Sequence, residues 1–257
     1  QRQYRKVKKR EMKYIIMADG KGRRWKNYKG IPKHLAVIQG ETLLGRTVRL
    51  LKEQDPSADV IITSHDARCS VPGAVRYEPL HNYREIDRFT RELIEDHVCF
   101  LYGDTWYEEE AIERIMYDQN PAAVGFYGNG KDVAAVKVND SSLFRSHVKI
   151  VGDSAIPGIP QRNVAWRIWY SIWQSCPECT SFTELGDEIR NINTPDEYRT
   201  FESEMDVFPE DGDSDVEEPV TVQCGREISC KQKEKMTAGR RIEMSFSSLP
   251  EDAPVTA

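Results

Sequence analysis

The unbroken apolar run Tyr14-Ile15-Ile16-Met17-Ala18 is the feature that most constrains this chain. A strand with one face in water alternates polar and apolar residues. A run without alternation belongs to a strand buried on both faces, as in a parallel sheet covered by helices. The sequence that follows keeps to that scheme. Thr42 precedes Leu43, Leu44, Thr47, Val48, Leu50 and Leu51, which recur at helical spacing. Asp59–Thr63 reads as a second strand, and Val98–Tyr102 as a third that ends at Gly103-Asp104. Between them, residues 83–97 place Ile86, Phe89, Leu93 and Ile94 on one face of an expected helix. Glu108–Asp118 reads as a helix with acids in its first turn, where the dipole favours them.

Ala122–Tyr127 and Val133–Val138 read as two further strands, separated by the turn-forming segment Gly128-Asn129-Gly130-Lys131-Asp132. Residues 163–175 carry Trp166, Trp169 and Trp173 at helical spacing, a stripe read as core packing rather than a ligand platform. Glu188–Asn193 is the expected last strand. Thr194-Pro195-Asp196-Glu197 then has the N-cap, N1 proline and early acids of a helix start. Strands alternating with helices predict an α/β, Rossmann-like fold with a mostly parallel sheet flanked by helices. The periodicity stops near Met205. The organisation expected is a basic arm at 1–12, one domain at 13–205, and an acidic, low-complexity tail at 206–257 that reads as disordered.

Charge is distributed unevenly along the 257 residues, whose net value is −6. Residues 1–13 hold seven bases and one acid, and residues 202–218 hold nine acids and no base. The body at 14–201 has 23 bases against 27 acids, or −4, which excludes a strongly basic nucleic-acid-binding surface. No apolar run approaches the ~20 residues of a bilayer span. Residues 1–13 contain no secretory apolar core, so a cytoplasmic protein is expected. Cys69, Cys99, Cys176, Cys179, Cys224 and Cys230 are too scattered for a disulfide scaffold. Reduced thiols are expected, in preference to a zinc site joining Cys176-Pro-Glu-Cys179 to Cys224 and Cys230.

The chemistry concentrates after the first strand. Residues 20–33, GKGRRWKNYKGIPK, contain six Lys or Arg among fourteen and no acid. A glycine-bearing turn at the carboxyl end of a strand lets backbone N–H groups approach phosphate oxygens, and the bases supply compensating charge. The spacing is neither that of a P-loop nor that of the dinucleotide fingerprint. On its chemistry alone the segment is either a polyphosphate loop or a solvated basic turn.

Three motifs then carry a resemblance. Gly20-x-Gly22-x-Arg24-Trp25, followed by Pro32-Lys33-x-Leu35, Gly40-x-x-Leu43-Leu44 and Arg46, resembles the opening signature of MobA-like nucleotidyltransferases. Phe100-Leu101-Tyr102-Gly103-Asp104-x-x-Tyr107 is similar to the strand of that family that ends in a metal-binding Asp. Asn191-Ile192-Asn193-Thr194-Pro195-Asp196-Glu197-Tyr198 is similar to its closing segment. Two departures stand out. Asp19 occupies a position that is usually small, and Asn191 and Asn193 stand where many relatives carry Asp. An Asn oxygen can ligate Mg²⁺ but brings no charge.

The resemblance implies a nucleotide-diphospho-sugar transferase type of fold and transfer of a nucleotide from an NTP to a phosphorylated small molecule. It implies that backbone groups at Gly20, Lys21 and Gly22 and the Arg24 side chain hold the β- and γ-phosphates. Lys33 would contact the α-phosphate or the acceptor phosphate. Asp104 would hold Mg²⁺, with Asn193 as a second ligand. Ser64 and Asn82 are expected near the base, because ligands lie across the carboxyl ends of the strands in such folds. Lys137, Arg162 and Arg167 are placed near the acceptor from location. Asp187 and Glu188 read as a charge pair in preference to metal ligands, and His34, His65 and His81 as ungrouped loop histidines. The competing readings are a nucleotide-sugar-dependent glycosyltransferase, whose Asp-x-Asp is absent at Gly103-Asp104-Thr105, and a non-catalytic nucleotide-binding protein.

Overall fold

Residues 13–17 run through the middle of a seven-stranded sheet, and both faces of that strand are covered. The computed structural model describes residues 12–119, 122–153 and 163–206. In chain order its elements begin with β1 (Lys13–Met17), β2 (Val37–Ile38), β3 (Glu41–Thr42), α1 (Leu43–Gln54), β4 (Asp59–Thr63), β5 (Val75–Tyr77), β6 (Val98–Tyr102) and β7 (Thr105–Tyr107). They continue with α2 (Glu109–Tyr117), β8 (Val124–Gly128), β9 (Val133–Val138), α3 (Ser141–Asp153), α4 (Val164–Ser175), β10 (Thr180–Glu184), β11 (Ile189–Asn191) and α5 (Pro195–Asp206).

The sheet order is β10-β8-β9-β6-β1-β4-β5. β1 runs parallel to both β4 and β6, β4 to β5, and β8 to β10, while β9 is antiparallel to β6 and β8. The sheet is therefore mixed and mostly parallel. Successive residues of β1 divide between two cores. Tyr14 and Ile16 pack with Leu44, Val48 and Leu51 of α1 and Ile112 and Ile115 of α2. Ile15 and Met17 face Phe144 and Val148 of α3 and Ile168 and Ile172 of α4. Two-sided burial is why the run carries no polar residue.

Local signals fix the helix starts. The Thr42 hydroxyl accepts from Gly45 N at 2.9 Å and caps α1. Before α5, the Glu197 carboxylate accepts from Asn193 N and Thr194 N at 2.7 and 3.0 Å, and Thr194 Oγ1 accepts from Glu197 N at 3.2 Å. That exchange is a capping box.

Four expectations need correction. Residues 83–97 form 3₁₀ turns at Glu85–Arg88 and Arg91–Leu93 instead of one helix. The Asp87 carboxylate takes Tyr83 N and Arg84 N, and the β-branched Thr90 leaves the helical region at φ −50°, ψ 108°. Ile86, Phe89 and Ile94 are buried all the same. Secondly, α3 and β10 went unread, although Asp140 caps Leu143 N at 3.0 Å and Phe144, His147, Val148 and Val151 form a buried helical stripe. Thirdly, the tryptophan stripe is core at one end only. Trp166 stacks on Phe182 at 4.8 Å, whereas Trp173 is 41% exposed. Fourthly, Cys176 and Cys179 form a disulfide, in place of the expected thiols. Cys69 and Cys99 are free and buried. Cys224, Cys230, Arg162, the basic arm up to residue 11 and the acidic tail from residue 207 lie outside the described residues. Among the described residues no helix is long and apolar enough to cross a membrane.

Candidate active site

The strand order places a crevice before any side chain is considered. The chain runs from β1 to β4 and β5 on one side, then crosses to β6 on the other, so connections leave β1 and β6 in opposite directions. Such a switch opens a cleft at the carboxyl ends of the two strands. Met17 and Tyr102 are register partners at that end, so residues 18–36 and Gly103-Asp104 emerge side by side.

The basic loop is a folded object. Gly22 has φ +55°, and its carbonyl accepts from Trp25 N at 2.9 Å and Lys26 N at 3.1 Å. Lys26, Asn27 and Lys29 also hold φ between +52° and +55°, which L-residues adopt at a cost. Trp25 anchors them. Its ring is 1% exposed, sits edge-on to Tyr28 at 5.3 Å and to Tyr198 of α5 at 5.7 Å, and donates from Nε1 to Ile31 O at 2.8 Å. With the tryptophan inward, Lys21, Arg23, Arg24 and Lys26 are exposed. Lys21 Nζ donates to Tyr83 O at 3.3 Å.

The loop ends in a 3₁₀ turn, Lys33–Leu35, in which Lys33 and His34 are buried. There Lys33 forms an ion pair with Asp104, both side chains being less than a tenth exposed. Burial pushes the Asp104 carboxyl up, but Lys33, His34 and Arg88 together outweigh it and hold it at about 2. Asp104 is thus an anion at any physiological pH. His34 is 2% exposed, and burial lowers its imidazole to about 4, so it is neutral there. Among the described residues its Nδ1 has no hydrogen-bond partner.

The closing motif reaches Asp104 through a small ladder. β11 pairs antiparallel with β7, Asn191 opposite Thr105, and Ile192 N donates to the Asp104 carbonyl at 2.9 Å. Residues separated by almost ninety positions are therefore adjacent. The Asn193 amide oxygen accepts from Arg24 Nη2 at 2.8 Å, tying the loop to this segment.

Solved structures share this fold. Over 76% of this chain, the fold superposes on CTP:phosphocholine cytidylyltransferase from Streptococcus pneumoniae with TM-score 0.53 and 15% identity, covering 99% of that chain. 4-Diphosphocytidyl-2C-methyl-D-erythritol synthase from Anaerococcus prevotii gives 0.55 at 11% identity, with 76% and 96% covered. The nucleoside-diphosphate-sugar pyrophosphorylase from Vibrio cholerae gives 0.52 at 12%, with 74% and 99% covered. The chain shares a nucleotidyltransferase fold. No family model and no curated protein sequence matches it.

Of the residues expected at the site, Gly20, Lys21, Gly22, Arg24, Lys33, Asp104 and Asn193 lie on these connected segments. Asn82 is beside them, donating from Nδ2 to Asp19 O at 2.8 Å. Ser64 is buried at 1% exposure with its hydroxyl accepting from Asp66 N at 3.1 Å, so the outward group in that turn is His65. The Asp19 carboxylate holds His65 through Nδ1 at 2.7 Å and the backbone N at 2.9 Å. Lys137 is misplaced by the acceptor expectation. β9 runs antiparallel, which puts Lys137 opposite Cys99 at the far end of β6, where it donates to Asp118 O. Arg167 donates to Val151 O at 2.9 Å. Glu188 pairs with Arg114.

Two site residues went unread. Arg88 lies over the loop, its Nη2 3.6 Å from where a Cβ on Gly20 would stand. Asp132, in the turn that leads into β9 beside the end of β6, lies next to Asn191 and feels the charges of Asp104 and Arg24. Burial raises its carboxyl above the ordinary range. The strand–turn–strand pattern around it shows a reversal but not which turn residue faces inward. The oxygen donors on these segments, Asp104, Asp132, Asn191 and Asn193, are hard ligands suited to Mg²⁺. Among the described residues the one group of three His, Cys, Asp or Glu ligand atoms within reach of one another, Cys176, Glu178 and Cys179, has both sulfurs committed to the disulfide.

Proposed function

We propose that the chain is an NTP-dependent nucleotidyltransferase of MobA-like type, transferring NMP to a phosphorylated sugar, polyol or choline-like alcohol with release of pyrophosphate. The observation that carries this reading is the meeting of a glycine loop of six cations, Lys33 among them, with Asp104 at the carboxyl ends of β1 and β6. The fold shared with the three transferases named above supports it. A cytoplasmic precursor for a glycoconjugate is the product class that fits.

In the reaction an acceptor phosphate oxygen attacks the NTP α-phosphorus in line, and the α–β bridging oxygen leaves with pyrophosphate. No protein nucleophile is required; the work is to hold two anions together and to neutralise developing charge. Backbone N–H groups of Gly20–Gly22 and the Arg24 guanidinium take the β- and γ-phosphates. The Lys33 ammonium, already held in the cleft by Asp104, is shared with the α-phosphate or the acceptor phosphate. Asp104 and Asn193 are the residues that would hold Mg²⁺, which supplies Lewis-acid neutralisation of phosphate oxygens when bound. Asn193 must then share its oxygen with Arg24.

A pyrophosphate-release screen tests the reading, with four NTPs, a panel of sugar-, polyol- and choline-phosphates, and Mg²⁺. Release with one NTP–acceptor pair is expected. Asp104→Asn should lower kcat roughly 10²–10³-fold, the scale of one lost preorganised charge. Asn is the substitution of choice, because Asp104→Ala strands the buried Lys33 ammonium and threatens folding. Silence across the panel, with no NTP-induced rise in Tm, sinks the proposal.

A further inference from the structure

The closing segment brings amides, Asn191 and Asn193, to the side of Asp104, and an amide ligates a cation without neutralising it. The Asn193 oxygen already accepts from Arg24, and the Asn191 oxygen already accepts from Thr105 Oγ1. The turn between β6 and β7 therefore brings one carboxylate, Asp104, to the site. A second arrives from a different element, the turn between β8 and β9.

That turn is built to deliver it. The β8–β9 register slips between Tyr127 and Gly128, an irregularity of the kind that re-aims side chains beside active sites. Gly128 permits the tight approach: a Cβ there would stand 2.1 Å from the Asp132 carbonyl oxygen. Asn129 Oδ1 accepts from Lys131 N at 3.0 Å and Asp132 N at 2.8 Å, while Asn129 N donates to Asp132 O at 2.9 Å. From α4, the Trp166 indole donates to Lys131 O at 3.1 Å and clamps the turn from outside. β9 runs antiparallel to β6 with Ala135 opposite Leu101, so the turn preceding β9 brings Asp132 to the end of β6 that carries Asp104. There its carboxylate lies beside Asn191 and in the field of Asp104, Arg24 and Glu197.

We propose that Asp132 is the second carboxylate of a divalent-cation site shared with Asp104, supplying from the β8–β9 turn the negative charge that Asn191 and Asn193 do not carry. The inference rests on the nucleotidyltransferase reading for its purpose, since a cation bound there would face the phosphates held by the basic loop. Its competitor is a bracing role, in which Asp132 merely orients Asn191.

The two are separated by titrating Mn²⁺ into the full chain and following the free ion by electron paramagnetic resonance. Asp132→Asn keeps the shape and removes the charge; it should weaken Mn²⁺ binding about 10–100-fold with little change in Tm. Adding Asn191→Asp to that variant returns a carboxylate to the same pair of side chains and should recover most of the affinity. Unchanged Mn²⁺ affinity in Asp132→Asn overturns the proposal. So does a loss that Asn191→Asp fails to recover, which assigns Asp132 to bracing. A wild-type chain that releases pyrophosphate from an NTP yet shows no Asp132-dependent Mn²⁺ binding overturns this inference while leaving the nucleotidyltransferase reading intact. Absence of both pyrophosphate release and Mn²⁺ binding overturns the two together.

Discussion

His34 shows how a residue can be dull in the sequence and consequential in the structure. It lies between Gly20 and Gly103, buried next to Lys33 and Asp104, and is held neutral by burial to about pH 4. The unfolded chain takes up that proton near the ordinary histidine value of about 6.5. Stability from this group is therefore complete above about pH 6.5 and falls by about 3 kcal/mol as the pH drops towards 4. Asp104, held at about 2, adds a separate loss only in stronger acid. Denaturant unfolding between pH 7 and 4.5 checks this: His34→Gln should flatten the slope, and parallel slopes would show that His34 is not responsible. At this scale the motif spacing singles out Arg24, Lys33 and Asp104, which the structure places on connected segments. It hides His34, Arg88 and Asp132, because each acquires its role from residues far away in the chain.

The elements differ in how plainly they were written. β1 and β6 are buried on both faces, so Tyr14–Met17 and Val98–Tyr102 carry no charge and the runs are unmistakable; β4 shows the same apolar centre at Val60–Ile62. β10 was obscure because TSFTE is only half-buried at a sheet edge, and β5 and β7 because three residues carry no period. Residues 83–97 had the apolar spacing of a helix and the burial to match, yet Asp87 and Thr90 favoured turns. The basic loop is the element on which the proposed function depends most. Its left-handed residues stay in place because Trp25 is clasped by Tyr28 and Tyr198, and Tyr198 Oη donates to Val37 O at 2.8 Å. Trp25→Ala should cost about 3–5 kcal/mol in denaturant unfolding, the range for emptying a buried aromatic site. It should also raise KM for the NTP more than it lowers kcat. A variant that loses stability with an unchanged KM would show that the loop geometry does not serve phosphate binding.

Across the whole molecule, topology and charge lead to the same place. A body of net −4 concentrates six cations in one fourteen-residue segment, and the strand order puts that segment at the switch between β1 and β6. The parallel centre of the sheet follows from its apolar runs, but the pairing of β11 with β7, which joins Asn191–Asn193 to Asp104, does not follow from local pattern. Long-range register is decided by packing that no window of sequence contains. Nucleotidyl transfer is a specific bond exchange, and ³¹P NMR reads it directly. With the NTP and acceptor phosphate selected by the pyrophosphate screen, plus Mg²⁺, the spectrum should gain pyrophosphate and a diphosphodiester in equal amounts as the NTP signals fall. Orthophosphate without a diphosphodiester, or an NTP spectrum that does not change, would contradict nucleotidyl transfer by this site.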